Sequence, residues 1–309
     1  MRHRFIKKSW RQAVNTLRHR HPKISIGSLC SLFGKSREGY YSVSTQVLSD
    51  RILTEVKVAQ LVREIRSSAP GIGAYKLFLI LKEVYEGKLM GRDSFYNLLR
   101  RKGLMLSPLK RRHTTNSNHN YRKYKNLIKD YKPKTLNRLW VADITYIETD
   151  AGVCYLHLLT DAFTHEIVGW ILSGSLVADN TLEALNQAIA MFPDTDFSKL
   201  IHHSDRGSQY CCNRYVERLK EMQISISMTE DSNPTDNAIA ERVNGIIKQE
   251  WLYRQKRPKD IVEARSKITE IIDFYNNVRP HMSNNMKTPK AMRASVAANA
   301  LWRLRASSR

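Results

Sequence analysis

The sequence predicts an α/β fold, in which a mixed five-stranded sheet flanked by helices follows a set of all-α modules. Two observations support this prediction. The apolar residues change from helical to strand-like spacing near residue 139, and three short β-rich runs are then followed by alternating helices and strands. The chain has 309 residues, 42% of them hydrophobic, which is enough for one large core and one or two small ones.

Residues 1–66 have the pattern of a small helical region. Four apolar residues fall at helical spacing: Trp10, Ala13, Val14 and Leu17. Within 24–41, one short helix is predicted to end at Gly34, and Ser36 is placed to cap the next. Two short helices around a glycine turn favour a helix-turn-helix, although small helical bundles share this pattern. Two basic residues of this turn are candidate DNA contacts: Lys35 and Arg37.

A second helix-turn-helix-like module is predicted over residues 67–106. It follows a long helix at 48–66 and contains helices at 75–84 and 93–102. The apolar positions of the pair have core spacing and need no functional explanation. Four basic residues of this module are candidates for phosphate contacts: Arg92, Arg100, Arg101 and Lys102.

Residues 107–138 are predicted to form a basic linker, because they carry ten Lys and Arg against one Asp and few apolar residues. Basic residues interleaved with Tyr121 and Tyr124 favour tracking along a DNA backbone, and a solvated tether is a compatible interpretation. Four of them are candidate DNA contacts: Arg111, Arg112, Arg122 and Lys123.

The large domain is predicted over residues 139–295, followed by a basic tail at 296–309. Three strands form a meander, and helices and strands then alternate: strands at 139–147, 153–160 and 166–172, a helix at 178–191, a strand at 199–203, a helix at 213–222, a strand at 224–228 and a helix at 236–251. This order of elements is typical of the ribonuclease-H-like α/β fold.

The net charge of +22 is confined to the N-terminal part of the chain. Residues 1–139 carry 31 Lys and Arg against 8 Asp and Glu, whereas residues 140–309 carry 20 against 21. Such a surface favours polyanions such as DNA, although a merely solubilising surface is the alternative.

Several classes of protein are disfavoured. No apolar run approaches eighteen residues and no signal peptide is visible, so we expect no membrane partner and a cytoplasmic, nucleoid-associated location in a bacterium. The four cysteines lack Cys-x-x-Cys spacing, which argues against a disulfide framework or a structural zinc site.

Three carboxylates stand out by their positions. Asp143 lies inside a strand, Asp205 follows the strand at 199–203, and Glu241 lies on a helix, opposite its apolar face. Three acids converging from separate elements would suit Mg²⁺, which prefers hard oxygen ligands. Ordinary salt bridges or turns are the alternative for each acid alone. Three further acids compete but have sufficient roles in turns or as a helix cap: Asp150, Asp161 and Asp236.

At these residues the sequence resembles the integrase-type transposases of bacterial insertion sequences, most closely the OrfB proteins of insertion-sequence family three. Three motifs carry the resemblance: Trp140-Val-Ala-Asp-Ile-Thr-Tyr-Ile147, His203-Ser-Asp-Arg-Gly-Ser-Gln-Tyr210 and Asp236-Asn-Ala-Ile-Ala-Glu-Arg-Val-Asn-Gly-Ile-Ile-Lys248. Asp205 and Glu241 are separated by 35 residues, the spacing of the Asp-Asp-35-Glu signature. The run from Tyr275 to His281 also resembles the family's C-terminal element.

The resemblance implies a metal-dependent strand transferase. Asp143, Asp205 and Glu241 would hold two Mg²⁺ or Mn²⁺ ions, with Asp143 between them, to nick the ends of an insertion sequence and join the 3′-hydroxyl to DNA. DNA contacts are expected on the same stripe of the Glu241 helix: Asn237, Asn244 and Lys248. His203 and Ser204 would support the turn at Asp205, and Gly207 would allow its tight backbone.

The implied partners are the terminal inverted repeats and the target DNA. A homo-oligomer is expected, because two ends must be joined, and an upstream-frame OrfA protein is a further possible partner. Two other functions stay open at this point. One is a DNA-binding protein without activity, such as a decayed copy. The other is a nuclease that cuts without joining.

Overall fold

The computed structural model describes residues 2–41, 45–107, 123–129, 131–230 and 237–307. The chain divides into two compact units, Met1–Val58 and Ala59–Arg309. The first unit contains the helices α1 (Arg2–Arg20), α2 (Ile26–Ser31), α3 (Arg37–Tyr41) and the start of α4 (Thr45–Ser68). The boundary that the sequence suggested at residue 66 therefore falls inside α4.

The first unit contains the predicted pair of short helices. Gly34 has a positive φ of 61°, and the Ser36 hydroxyl accepts a hydrogen bond from the Gly39 amide at 2.9 Å, at the start of α3. A small core closes the unit, formed by the buried residues Trp10, Val14, Leu29 and Cys30. Lys35 and Arg37 are exposed beside this turn, as DNA contacts would have to be.

The second unit begins with the helix pair α5 (Ala74–Val84) and α6 (Arg92–Arg101), close to the predicted bounds. Phe78 and Phe95 pack with ring centroids 5.7 Å apart between the two helices. The apolar faces are buried as predicted, at Leu77, Leu81, Phe95, Leu98 and Leu99.

The sheet has five strands, in the order β3-β2-β1-β4-β5. Its first three strands are β1 (Leu139–Thr149), β2 (Gly152–Asp161) and β3 (Ile167–Ser173). Helix α7 (Ala178–Ala190) leads to β4 (Ile201–Ser204). The helices α8 (Ser208–Cys211) and α9 (Asn213–Glu221) then lead to β5 (Ser225–Met228). The first three strands pair antiparallel, and β4 and β5 continue the sheet in parallel. This mixed sheet confirms the predicted ribonuclease-H-like fold class.

Helices cover both faces of the sheet because its strands are apolar on both faces. On one face, Trp140 and Ala142 pack with α7 and α9 in the main core. On the other, Leu139 and Val141 pack against Ala240 of α10 (Ala238–Glu250). Helix α7 packs directly on the backbone of β3 at Gly169, where an added Cβ would lie 2.2 Å from the Ala184 carbonyl oxygen.

Two helices complete the unit, α11 (Ile261–Asn277) and α12 (Pro289–Ser307). Neither helix was predicted from the sequence. The boundary drawn at residue 295 lies inside α12, so residues 296–307 continue a helix. Arg293 connects this helix to the segment between β2 and β3 through an ion pair with Glu166, whose side chain is fully buried. The short helix α8 was also not predicted, because four residues carry too little periodicity.

The described part of the predicted linker is partly packed against the sheet. The Leu127 amide donates to the Ser227 hydroxyl at 2.9 Å, and the Asn126 amide donates to the Glu230 carboxylate at 2.9 Å. Tyr124 packs against the main core. Residues 123–129 therefore follow β5 instead of forming a free tether, while Lys123 stays exposed.

None of the helices in the described ranges has the length and apolar character needed to cross a membrane. All four cysteines are described, and each is a free thiol, as predicted.

Candidate active site

Asp143 on β1 and Asp205, just after β4, lie at the same level of the sheet. Val141 on β1 pairs in parallel with His203 on β4, and each acid lies two residues further along its own strand direction. Parallel neighbours keep this register, so the two carboxylates reach the same level at the carboxyl end of β4. The strand β1 continues past the last residue paired with β4, which leaves this edge open beside Asp143.

Glu241 comes from α10, which lies against β1. The helix is tied to the strand near its start, where the Asn237 amide donates to the Ala142 carbonyl oxygen at 3.1 Å. One turn after Glu241, the Asn244 amide donates to Asp143 Oδ2 at 2.7 Å. Residues three apart share one face of a helix, so Glu241 is on the side of α10 that faces Asp143, although its side chain is exposed.

The pKa of Asp143 responds to the charges of both other acids. Its pKa is raised from 3.8 to about 7, first by burial and then by the negative charge of Asp205, with a smaller contribution from Glu241. Hydrogen bonds from Asn244 and the Ile144 amide, at 2.7 and 2.9 Å, oppose this rise. Repulsion between nearby carboxylates is the condition that a bound cation relieves.

The three acids do not form a closed ligand set. Within the described ranges, no three His, Cys, Asp or Glu side chains are arranged so that they could hold a metal ion together. The donor types nevertheless suit a hard divalent cation, because all three side chains supply carboxylate oxygens.

The reason for a glycine at position 207, in the turn after Asp205, differs from the one predicted. Gly207 has a φ of −60°, which any residue can adopt, so the glycine is not required for an unusual backbone. Instead, its amide donates to Asp205 Oδ1 at 2.9 Å, and an added Cβ would lie 3.0 Å from that oxygen and 3.1 Å from Gln209 Oε1. The glycine leaves space for the carboxylate.

The variant Gly207→Ala is therefore expected to reduce DNA cleavage while leaving the fold intact. Its methyl group would push the Asp205 carboxylate by a few tenths of an ångström, and misplacement of a catalytic group lowers the rate by about tenfold or more. Cleavage rate and melting temperature should be measured together. The control is Gly174→Ala, where the nearest atom is 3.9 Å from the added Cβ. Equal rates for both variants would contradict this role for Gly207.

Two predicted DNA contacts have roles within the protein. Asn237 and Asn244 are 6% and 5% exposed, and their amide groups donate to Ala142 and Asp143. The sequence pattern groups both residues with Glu241 on one stripe of α10, and in the structure their amide groups contact β1. The paired amide of Asn244 positions Asp143, which is a support role and not an exposed DNA contact.

Lys248 lies on the same stripe, two turns after Glu241. Its ammonium group is 4.3 Å from the centroid of the Tyr146 ring, a cation–π contact. Burial lowers the Lys248 pKa, and the charge of Tyr146 and Asp143 opposes this shift. Tyr146 is 42% exposed at the open edge of β1 and was not singled out from the sequence. The lysine is thus half-buried beside the acids.

The remaining predicted contacts divide into described and undescribed residues. Arg111, Arg112 and Arg122 lie outside the described residues. Lys123 is exposed, and its positive charge acts on the pKa of Cys211, which also senses Asp205. Lys35 and Arg37 belong to the first unit.

Tyr210 is a site residue whose role the sequence did not reveal. It is 2% exposed, and within the described ranges its hydroxyl has no hydrogen-bond partner. Burial raises its pKa well above the ordinary value, and the charges of Asp205 and Asp143 raise it further. A buried hydroxyl close to both acids is part of their electrostatic environment.

The residues around Asp205 are structural. His203 is fully buried and exchanges a hydrogen bond of 2.8 Å with Ser227, and the Ser204 hydroxyl donates to the Asp205 carbonyl oxygen at 2.9 Å. Among the competing acids, Asp161 is fully buried and accepts a hydrogen bond from the Thr164 amide at 2.8 Å. Asp150 lies in the turn between β1 and β2, and Asp236 lies outside the described residues.

Comparison with known proteins identifies the family of the chain. Two family models described as integrase core domain match residues 133–234 and 222–289. A 31 kDa protein of insertion element IS600 from Shigella sonnei is 36% identical over 277 residues, covering 86% of this chain and 97% of the relative. A candidate transposase for insertion sequence element IS986/IS6110 from Mycobacterium tuberculosis is 32% identical, covering 78% of this chain and 88% of the relative.

The chain has a mixed five-stranded sheet, with Asp143 on β1 and Asp205 just after the parallel neighbour β4, and the models that match it describe an integrase core domain. The chain belongs to the insertion-sequence transposases that carry this core, a family of DNA strand transferases that act in DNA transposition. Among solved structures, the integrase catalytic core of HTLV-2 aligns with a TM-score of 0.41 and 19% identity, covering 52% of this chain and 99% of that one. The fold assignment rests on the sheet and not on this alignment.

Proposed function

We propose that this transposase is of the OrfB type of insertion-sequence family three and that Asp143, Asp205 and Glu241 hold two Mg²⁺ or Mn²⁺ ions. The observation that carries the proposal is the parallel pairing of Val141 with His203, which brings Asp143 and Asp205 to the same level of the sheet, beside the helix that carries Glu241. When bound, the ions would activate the attacking oxygen and stabilise charge on the leaving oxygen of a phosphodiester. The reaction would nick the element ends and join their 3′-hydroxyls to target DNA.

The chain's own residues would prepare this site in three ways. Asn244 and the Ile144 amide hold the two oxygens of Asp143 in fixed directions. The Gly207 amide does the same for Asp205 Oδ1. Because Glu241 is exposed on a helix tied to β1 at Asn237, it can reach toward Asp143 without a change in the sheet. Preorganised donors of this kind avoid reorganisation during the reaction.

DNA would approach along the open edge of β1. Lys248, supported by the Tyr146 ring, lies close enough to Asp143 to pair with a phosphate next to the scissile bond. Lys123 would contact the backbone on the Asp205 side of the site. The exposed Lys35 and Arg37 of the first unit, and Arg111, Arg112 and Arg122, would add sequence-independent affinity through counterion release.

The protein would work as a homo-oligomer on DNA, because two element ends must be joined to one target. The partners would be the terminal inverted repeats, the target DNA and an OrfA protein from an upstream reading frame. The dominance of positive charge in residues 1–139 favours placing end recognition in the helical modules and chemistry in the core.

The proposal is tested with duplex oligonucleotides that carry the ends of the element encoding this chain. The chain, alone and fused to the upstream-frame product, is incubated with Mg²⁺ or Mn²⁺ and a plasmid target. We expect metal-dependent nicks at the element ends that leave 3′-hydroxyls, followed by joined product. A pre-nicked end should be joined directly.

Two results would contradict the proposal. Nicking without joining, even of pre-nicked ends, would indicate a nuclease. Binding of the ends without nicking or joining, by both the chain and the fusion, would indicate a DNA-binding protein without activity.

A further inference from the structure

The C-terminal end of α10 is joined to the segment between α4 and α5 by contacts that leave little freedom. The Gly71 amide donates to the Glu250 carbonyl oxygen at 2.7 Å, and the Trp251 indole donates to the Ser68 carbonyl oxygen at 2.7 Å. A Cβ at Gly71 would lie 2.4 Å from Glu250 Cα, so no side chain fits there. Trp251 is fully buried.

A cluster of charged side chains lies beside these contacts at the C-terminal end of α10. The Glu250 carboxylate is 3.0 Å from Lys76 Nζ on α5 and accepts two hydrogen bonds from Arg279, of 2.8 Å from Nε and 2.7 Å from Nη2. The Arg279 side chain is 3% exposed. Burial opposes the charge of Glu250, but Arg279 and Lys76 outweigh it and lower the Glu250 pKa. One carboxylate thus connects α5 with the segment after α11.

The motif from Tyr275 to His281 explains how Arg279 is held. Its Nη1 contacts His281 Nε2 at 2.9 Å, and its guanidinium lies 5.7 Å from the centroid of the Tyr275 ring. Burial lowers the His281 pKa, and the charge of Arg279 lowers it further, so the imidazole is neutral and can accept this hydrogen bond. None of the roles described for the candidate active site involves this motif.

The middle and the C-terminal end of α10 therefore have different connections. Asn244 bonds Asp143, and Glu250, six residues later, bonds α5 and Arg279. Six residues of helix span about 9 Å, which is short and stiff. The position of α5 and α6 relative to the acids is consequently set through α10.

The helix pair offers a surface suited to DNA. A groove of about 480 Å³ lies on it, lined by two arginines, two tyrosines and two short polar residues: Arg92, Arg100, Tyr75, Tyr96, Asp93 and Asn97. Arginines beside aromatic rings and an amide can contact phosphates, sugars and base edges.

We propose that Glu250 is a positioning residue, which fixes the helix pair α5–α6 at a set distance from Asp143 so that DNA held in the groove presents its scissile phosphate to the acids. The inference rests on the proposed function. Glu250 would have no contact with DNA, and its effect would pass through α10. Its loss should therefore change where and how fast an end is cut more than how tightly the end is bound.

The test compares Glu250→Gln with the matched control Glu221→Gln, which removes the charge of an exposed ion pair with Arg218 on α9. Both are measured for end-DNA affinity, cleavage at the element end, position of the cut, end-independent Mn²⁺ nicking of a random duplex, and melting temperature. For Glu250→Gln we expect end cleavage to fall about tenfold or more and the cut position to spread. The affinity for end DNA and the rate of nicking of the random duplex should stay within about twofold of the wild-type values.

A second variant covers the case in which Glu250→Gln fails to fold. Lys76→Met leaves the Glu250–Arg279 pair intact and should give a smaller loss with the same pattern, and Glu250→Asp should recover part of the lost rate. A parallel fall of end cleavage, random nicking and melting temperature would reduce Glu250 to a structural residue and overturn the inference, as would unchanged end cleavage. Absence of nicking by the wild-type protein would instead overturn the proposed function.

Discussion

Replacing Asp143 by asparagine is expected to reduce nicking and joining at least about a thousandfold, because a loss of about 4 kcal/mol in transition-state stabilisation corresponds to three decades in rate. The charges of Asp205 and Glu241 both raise the Asp143 pKa, so Asp143 is the acid that is coupled to both of the others. An amide is a much weaker ligand for a hard cation than a carboxylate. The measurement is single-turnover cleavage of an end-containing duplex in Mg²⁺ and in Mn²⁺.

The site can accept this change without disruption. Oδ1 of the new amide can still accept from the Ile144 amide, which now donates to Asp143 Oδ1 at 2.9 Å. Asn244 has a buried Oδ1 without a hydrogen-bond partner within the described ranges, so rotation of its amide lets that oxygen accept from the new amide nitrogen. Affinity for end DNA should stay within about twofold, since the basic residues outside the site supply most of it.

The matched control is Asp150→Asn, the same charge change in the exposed turn between β1 and β2. It should retain the wild-type rate. If Asp143→Asn cleaved at a rate close to that of the control, the assignment of Asp143 would be wrong. If it lost DNA affinity while keeping its melting temperature, the division between DNA-binding modules and a catalytic core would be wrong.

The sequence was informative about the core because periodicity and motif agreed there. The fold class followed from the order of strands and helices, and the acids followed from their places in that order. The side-by-side placement of Asp143 and Asp205 needed the structure, since it depends on the pairing of Val141 with His203. Strand register is a long-range property that apolar alternation alone does not specify.

The support of the site could not be predicted for a similar reason. Asn244 and Asp143 are 101 residues apart, and Lys76 and Glu250 are 174 residues apart, so no local pattern connects them. One signal was nevertheless present at Glu250. An acid at the last position of a helix is unfavourable with the helix dipole, and such a local conflict often marks a residue with a long-range partner.

Divalent cations are expected to stabilise the protein, and to do so more at pH 8 than at pH 5.5. A cation bound by the three acids relieves the repulsion around Asp143, and protons compete with it for the same oxygens. At a concentration about tenfold above the dissociation constant, one bound ion adds ~1.4 kcal/mol, or about 3–6 °C in the melting temperature of a domain of this size. The measurement is thermal unfolding with and without Mg²⁺ or Mn²⁺ at constant ionic strength.

The metal-free protein should show the opposite pH dependence at this site. Below about pH 4 the Asp143 carboxyl is protonated in both the folded and the unfolded chain, so its protonated form costs no stability. As the pH rises toward 7, the unfolded chain ionises while the folded chain resists, because the folded pKa is raised to about 7. Stability is lost over that interval, by at most about 4 kcal/mol, and the loss is complete above pH 7.

Asp143→Asn separates this effect from the titration of the buried histidines, because they titrate in both proteins. Without metal, the variant should unfold at a higher temperature than the wild type at pH 8 and at nearly the same temperature at pH 4. With metal, the difference in melting temperature between the two proteins at pH 8 should become smaller or change sign, since only the wild type keeps the full set of carboxylates. Equal melting temperatures of the two proteins at pH 8 without metal would show that the acids do not repel one another. Equal stabilisation of both proteins by the cation would show that it binds elsewhere, and either result would remove the physical basis of the metal site.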